Sequence, residues 1–183
     1  MLMRFARWVV DAVFSNSLDE SQREICIYGA ELMFYTWLST LALLAIGCLC
    51  GHPVESAIII LSFYVLQSNG GGYHASSHIR CFLLMTAGLL TGMAMLRLSK
   101  ETLAVFAVIS AGVLLLTPLQ LHPNKRYLAK HSNQLKSHSH LATLSVCIFV
   151  LAFALLKHEA LYKAGCAALL LSAISRLAAR KNG

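Results

Sequence analysis

The chain has 183 residues, of which 57% are hydrophobic and only 13% are charged. Soluble domains are typically about 45–50% apolar and about 25% charged, so a soluble chain of this composition would lack the polar surface to cover its core. The formal net charge of +7 would suit nucleic acid, but the basic residues lie between apolar runs, as topology signals and lipid contacts do. We therefore expect an integral membrane protein that binds no nucleic acid.

The first 20 residues predict a helix that lies at the membrane surface. Apolar residues alternate there with Arg4, Arg7 and Asp11 at helical spacing, a pattern typical of an amphipathic interfacial helix. Ser21 followed by Glu24 matches the capping box that opens a helix. We expect an interfacial helix over 1–20 and a second helix that begins near Ser21.

Six apolar segments follow, each near the length of about 20 residues that a membrane-spanning helix needs. They cover approximately residues 28–50, 54–68, 79–98, 102–121, 141–156 and 160–177. The predicted fold is therefore an all-α integral membrane protein with about six transmembrane helices and the N-terminal interfacial helix, forming a single domain over 1–183.

The distribution of basic residues predicts the orientation of the spans. Of the 15 Lys and Arg residues, 11 fall on the side that carries both termini, the polar segment 67–81 and the basic loop 122–139. Because basic loops stay on the cytoplasmic side, both termini and both loops are expected there. In that reducing compartment a thiol stays free, and the six cysteines show no spacing that indicates a disulfide framework.

The polar segment 67–81, QSNGGGYHASSHIRC, carries the candidate chemistry. Cys81 falls at the start of the third span, where a helix N-terminus carries partial positive charge that favours a thiolate. His74 lies seven residues earlier and suits a base that takes the thiol proton and later gives it to a leaving amine. The backbone N–H groups of Gly71 and Gly72 suit an oxyanion hole. Together these features predict a catalytic loop for acyl transfer by a cysteine nucleophile.

The same residues leave alternatives open. Cys81 alone is also what a packed apolar position looks like, and the glycines alone suit a simple hairpin. His74, His78 and Cys81 have ligand types and spacing that suit zinc, although they supply only three ligands and no fourth is evident nearby. A non-enzymatic small transporter or metal carrier, or a structural membrane partner, therefore remains an alternative. For the enzyme we expect no metal and no cofactor.

The motif G-G-Y-H-A at 71–75, with Cys81 seven residues after His74, resembles the signature of the accessory gene regulator B (AgrB) family. Members are bacterial membrane cysteine endopeptidases that process quorum-sensing propeptides. The similarity extends to the chain length, the multiple spans and the basic, proline-containing stretch at 117–136, so it covers nearly the whole chain. It implies that His74 and Cys81 are the catalytic pair, in a multi-pass protein of the bacterial cytoplasmic membrane whose active site faces the cytoplasm.

The resemblance also implies the substrate and the partners. The expected substrate is an AgrD-like peptide precursor with an amphipathic leader, a core and an acidic tail. Cys81 would cleave at the core–tail junction, and a Cys or Ser of the core would then close a thiolactone or lactone ring to give an autoinducing peptide. Membrane lipids and a second copy of the chain are the other expected partners. Small residues at 111–112 and 164–165 give the dimer weak support.

The chain departs from the family pattern at one place. Members commonly carry one or two arginines shortly before the glycines, where this chain has Gln67, Ser68 and Asn69. We therefore expect the contact with the acidic part of the substrate to differ in this protein, while the chemistry at His74 and Cys81 stays the same.

Further polar residues are candidates for orienting or substrate contacts: Gln67, Asn69, Glu31, Lys125 and Arg126. Gln67 or Asn69 would orient the His74 ring, as the third member of a catalytic triad does. Glu31 is an intramembrane acid and so a functional candidate, with snorkelling to the headgroups as the alternative. Lys125 and Arg126 would attract an acidic tail or anionic lipid, or serve only as topology markers.

Overall fold

The computed structural model describes residues 2–14, 19–70, 77–117 and 132–181, and these residues form seven α-helices and no strand. The helices are α1 (Leu2–Phe14), α2 (Glu20–Leu49), α3 (Pro53–Gly70), α4 (His78–Met95), α5 (Lys100–Leu116), α6 (Ser132–Leu155) and α7 (Glu159–Lys181). The predicted all-α class is confirmed for these residues. Four of the helices, α2, α4, α6 and α7, are long and apolar enough to span a membrane. The count of six spans and the orientation of the termini stay predictions.

Helix α5 ends five residues earlier than the apolar run predicts, and the sequence explains why. Thr117 adopts an extended conformation with φ −77° and ψ 134°. The following residue is Pro118, and proline disfavours the helical conformation in the residue before it. At 17 residues α5 is short for a membrane span, and it owes that length to this proline.

The two predicted loops are shorter than expected because helices extend into them. Helix α3 runs to Gly70 and helix α4 begins at His78, so the predicted catalytic loop 67–81 is helical at both ends. Helix α6 begins at Ser132, so the last part of the predicted basic loop 122–139 is also helical.

The chain divides into two compact units, and the first covers residues 1–43. In it, Ala6 and Val10 of α1 and Ile27 of α2 form a small buried cluster. Beside the cluster, the Arg23 guanidinium donates two hydrogen bonds of 2.8 Å to the Asp11 carboxylate. The predicted amphipathic helix is thus present at residues 2–14 and packs its apolar face on α2.

The start of α2 corrects the predicted capping box. Asp19 Oδ1 accepts a 2.8 Å hydrogen bond from the Gln22 N–H, and the Asp19 N–H donates to Gln22 Oε1 at 3.4 Å. This is the reciprocal pattern of a capping box, so the pair is Asp19 with Gln22 and the prediction of Ser21 with Glu24 was wrong. The hydrogen bond from Gln22 lowers the pKa of the Asp19 carboxyl.

The second unit, residues 44–183, is built around α7, which contacts α3, α4, α5 and α6. Its buried face is rich in small residues, including Ala164, Ala167 and Ala168, which let neighbouring backbones approach closely. A Cβ at Gly165 would overlap the Val150 side chain. Because residues 164–165 pack inside the chain, they no longer support a homodimer, which stays a prediction.

Polar contacts join three helix ends at one end of this second unit. Lys163 Nζ donates to the Leu96 carbonyl at 3.2 Å and pairs with Glu159 at 3.0 Å. Glu159 also pairs with Lys100 at 2.8 Å. This cluster of Lys100, Glu159 and Lys163 thus ties the C-terminal end of α4 to the first turns of α5 and α7.

Two tight turns at helix ends use the left-handed backbone region. Gly51, between α2 and α3, has φ 78°, which glycine adopts without steric cost. Lys157, between α6 and α7, has φ 58° although it carries a side chain. Lys157 therefore adopts a backbone conformation that is strained for a residue with a side chain, whereas the first turn has glycine at this position.

Candidate active site

Cys81 lies in the first turn of α4, where the sequence predicts it. Ser77 is the N-cap of this helix, and its Oγ accepts a hydrogen bond of 3.3 Å from the Arg80 N–H. The Cys81 N–H donates to the Ser77 carbonyl at 3.0 Å, which is the first turn's own backbone bond. The half-buried thiol is therefore close to the partial positive charge of a helix N-terminus.

Several predicted site residues lie outside the described residues: His74, Gly71, Gly72, Lys125 and Arg126. The His74–Cys81 pair and the oxyanion hole therefore stay predictions. His78, the first residue of α4, is exposed. Among the described residues, no group of three His, Cys, Asp or Glu side chains is placed to hold a metal ion.

The two amide candidates at the end of α3 are engaged with their surroundings. Gln67 Nε2 donates to Ser175 Oγ of α7 at 2.5 Å. Asn69 Nδ2 donates to the Val65 carbonyl at 2.9 Å and to Ser68 Oγ at 3.2 Å. Both N–H groups of the Asn69 amide are thus used, whereas Gln67 uses one of its two. A role of Asn69 in orienting His74 would therefore fall to its carbonyl oxygen. Glu31 lies half-buried in α2, within the first unit.

Arg176 of α7 lies beside the end of α3 and was not among the residues predicted from the sequence. Its side chain is only 3% exposed. Nη1 donates to the Leu114 carbonyl at 2.5 Å and Nη2 donates to Ser139 Oγ at 2.9 Å. A Cβ at Gly70 would overlap Nη2, so the guanidinium lies directly against the last residue of α3. Four helix ends, those of α3, α5, α6 and α7, therefore meet around one cation.

No side-chain carboxylate of the chain neutralises Arg176. All eight acidic residues fall within the described residues: Asp11, Asp19, Glu20, Glu24, Glu31, Glu55, Glu101 and Glu159. Among the described residues, the ion pairs found for these acids involve Arg23, His52, Lys100 and Lys163, and none involves Arg176.

Unsatisfied polar atoms accompany this cation. Arg176 Nε has no hydrogen-bond partner in the described part of the chain, and the same holds for the buried hydroxyls of Ser110 and Ser172. Ser110 precedes Leu114 in α5 by four residues, and Ser172 precedes Arg176 in α7 by four. Each hydroxyl therefore lies about one helical turn from the residue that contacts or carries the guanidinium. The part of α7 around Arg176 is thus a buried polar site in which three polar atoms have no hydrogen-bond partner among the described residues.

The signal that identifies Arg176 is present in the sequence. It stands within the apolar run LLLSAISRLAA of a predicted span, and an ionisable residue inside a span is a functional candidate. Its position near the end of the predicted span gave it the look of one more topology marker. Local sequence does not show whether such a side chain turns outward to the headgroups or inward to the bundle.

Comparison with known proteins identifies a family. The family model described as accessory gene regulator B matches residues 4–176, nearly the whole chain. The comparison with curated proteins and the comparison with solved structures gave no match.

Proposed function

Because the chain belongs to the accessory gene regulator B family, we propose that it is a membrane cysteine endopeptidase that processes a quorum-sensing propeptide. It removes the C-terminal tail of an AgrD-like precursor and promotes closure of the (thio)lactone ring of the autoinducing peptide. Cys81 is the nucleophile and His74 the general base and acid. The enzyme works at the cytoplasmic face of the bacterial cell membrane, without a cofactor.

One observation carries the proposal: the family match includes the G-G-Y-H-A motif at 71–75 and, seven residues after His74, the half-buried Cys81 in the first turn of α4. A sulfur in this position lies at the end of the helix where partial positive charge supports a thiolate. The other five cysteines are Cys26, Cys48, Cys50, Cys147 and Cys166, and all of them lie beyond the first turn of their helices or in a turn that follows a helix.

In the first step His74 takes the proton of the Cys81 thiol, and the thiolate attacks the carbonyl carbon at the core–tail junction. The new C–S bond gives a tetrahedral oxyanion, for which the backbone N–H groups of Gly71 and Gly72 are the proposed donors. When the C–N bond breaks, His74 returns the proton to the leaving amine. The tail departs with a free N-terminus, and the core remains attached to Cys81 as a thioester.

In the second step a side chain of the core replaces the enzyme. A Cys thiol or Ser hydroxyl of the core loses its proton to His74 and attacks the thioester carbon. The bond to Cys81 breaks, and the Cys81 thiolate recovers the proton. Exchange of one thioester for a thiolactone changes little in bond energy, so release of the tail and removal of the product have to draw the reaction forward.

The test is cleavage by the full chain in vesicles. Short precursors with an amphipathic leader, a Cys- or Ser-containing core and an acidic tail are incubated with the wild type, Cys81→Ala and His74→Ala. Products are read by mass. We expect a tail fragment from the wild type alone, together with a core lighter by one water than its linear form.

Cys147→Ala is the matched control, because Cys147 is also a half-buried thiol in a membrane helix. It should cleave like the wild type. Treatment with a chelator should leave cleavage unchanged. Zinc binding that depends on His74, His78 and Cys81, in a chain that cleaves no precursor, would favour the metal-carrier alternative. Cleavage that persists in Cys81→Ala would overturn the proposal.

A further inference from the structure

Arg176 is a buried cation that no side-chain carboxylate of this chain neutralises. A charge held away from water is costly unless a counter-charge and hydrogen bonds compensate it. Here the guanidinium is 3% exposed, and its recorded acceptors are two neutral oxygens, those of Leu114 and Ser139. Packing alone does not account for such a group, since an uncharged side chain would fill the space at less cost.

The geometry identifies the chemistry of the missing partner. An arginine presents five N–H donors in a planar fork, and a carboxylate accepts two of them in parallel. The recorded bonds use one donor of Nη1 and one of Nη2, while Nε has no partner in the described part of the chain. A carboxylate would therefore bring a negatively charged acceptor to the guanidinium and engage the unpartnered Nε.

The position of the cation connects it with the proposed reaction. Gly70, which lies against the guanidinium, is the last residue of α3 and immediately precedes the G-G-Y-H-A motif at 71–75. Six residues after Gly70 the chain reaches Ser77, the N-cap of the helix that carries Cys81. A ligand held by Arg176 thus lies at the base of the segment that contains His74.

We propose that Arg176 is a substrate-binding residue that takes a side-chain carboxylate of the acidic tail of the propeptide. The proposal rests on the proposed function for the identity of the ligand, whereas the cation, its burial and its lack of an internal carboxylate do not depend on that function. It also supplies a tail contact in a chain whose residues 67–69 carry no arginine.

Binding is tested first, without cleavage. The probes are an acetylated, amidated peptide of alternating Glu and Asp and its Gln/Asn counterpart. Both are titrated onto the full-length Cys81→Ala chain in neutral phosphatidylcholine vesicles. Adding Arg176→Gln should weaken binding of the acidic peptide on the order of 10- to 100-fold, the loss expected for a charge-assisted pair, and leave the amide peptide unchanged.

Two further variants make the result specific. Arg97→Gln removes one positive charge from an exposed residue just beyond the C-terminal end of α4, so it should leave binding within about twofold. Arg176→Lys keeps the charge but loses the fork, and should lie between the wild type and Arg176→Gln. It also keeps the test valid if Arg176→Gln fails to fold.

Any of the following three outcomes would overturn the proposal. Equal binding by Arg176→Gln and the wild type would show that the acidic peptide binds elsewhere. An equal loss for Arg97→Gln would indicate only general attraction between charges. An effect of Arg176→Gln that appears solely in vesicles of anionic phosphatidylglycerol would assign the guanidinium to a lipid phosphate.

Cleavage then separates this inference from the proposed function. For a precursor that the wild type cleaves, Arg176→Gln should raise KM with kcat nearly unchanged, because the tail contact exists before and during the reaction. Changing the contacted tail carboxylate to an amide should likewise raise KM for the wild-type enzyme. In Arg176→Gln the same change in the substrate should leave KM unaltered. If Cys81→Ala abolishes cleavage but this coupling is absent, the carboxylate site is wrong and the peptidase remains.

Discussion

Gly70 lies so close to Arg176 that a Cβ at position 70 would overlap the guanidinium atom Nη2. The end of α3 and the cation of α7 therefore depend on each other. A side chain at position 70 would displace the guanidinium from Leu114 and Ser139, the two residues that it bonds on α5 and α6.

Gly70→Ala should lower the free energy of unfolding by about 1–3 kcal/mol, the usual cost of overpacking a closely packed site. Most of that loss should disappear in an Arg176→Ala background, because the overlapping group is then gone. The measurement is thermal unfolding of the two single variants and the double variant. Gly88→Ala in α4 is the matched control, since a Cβ there meets nothing within 4 Å. An equal loss in both backgrounds would contradict the contact.

Ser77→Ala should weaken the first turn of α4, which carries Cys81. Loss of an N-cap hydroxyl costs about 1 kcal/mol, and Ser77→Asp should restore it because aspartate caps equally well. We expect cleavage to fall about fivefold with Ser77→Ala, the equivalent of that free energy, and to recover with Ser77→Asp. Ser99→Ala removes the corresponding cap of α5 and should reduce stability without reducing cleavage.

Lys163→Met should destabilise the second unit by about 1–3 kcal/mol, because it leaves the Leu96 carbonyl and Glu159 without their shared donor. The Lys163 side chain is only 14% exposed. Lys100→Met breaks an ion pair with the same Glu159, but Lys100 is 54% exposed and its loss should cost less than about 1 kcal/mol. Thermal unfolding of the two variants measures both losses of stability. Equal losses would contradict the expected difference between Lys163 and Lys100.

Lys157→Gly should stabilise the protein by about 0.5–1 kcal/mol. A side chain in the left-handed region costs about 1–2 kcal/mol, part of which is offset by the greater freedom of glycine in the unfolded chain. Lys157→Ala removes the charged chain but keeps the Cβ that is strained at this φ, so it should give no gain. Gly51→Ala imposes the same strain at the other turn and should move the midpoint of thermal unfolding in the opposite direction.

Acid should weaken the contact between α1 and α2 through Asp11. The hydrogen bond from Arg23 holds the pKa of the Asp11 carboxyl below its ordinary value of 3.8. The contribution is therefore fully present above 3.8 and is lost as the pH falls through the lowered pKa. Trp8 fluorescence should report the change, and Asp11→Asn should remove it. Since both groups are exposed, the effect should be small and should shrink with added salt.

The helices follow from the sequence because each apolar run is a local signal. The ends of the helices are harder to predict from the sequence where two local signals compete. Asp19 with Gln22 and Ser21 with Glu24 are both capping-box spacings within six residues, and propensity does not rank them. The end of α5 was predictable, since Pro118 restricts Thr117, but the apolar run continues past it to residue 121.

Within the site, the position of Cys81 at a helix start was predictable because the cap and the thiol are four residues apart. The environment of Arg176 was not, because its partners are distant in the chain. Ser139 is 37 residues away and Leu114 is 62 residues away. Only the packing of α7 among α3, α5 and α6 turns a residue that looks like a topology marker into a buried cation.

The central place of α7 has a consequence for biosynthesis. The ribosome makes α3, α4, α5 and α6 before it makes the helix that all four contact. Until α7 enters the membrane, the Leu114 carbonyl, the Leu96 carbonyl and the backbone at Gly70 lack the contacts that α7 supplies. The bundle therefore reaches its final packing late in translation, and nascent chains that stop before residue 159 should be the ones that membrane quality-control proteases remove.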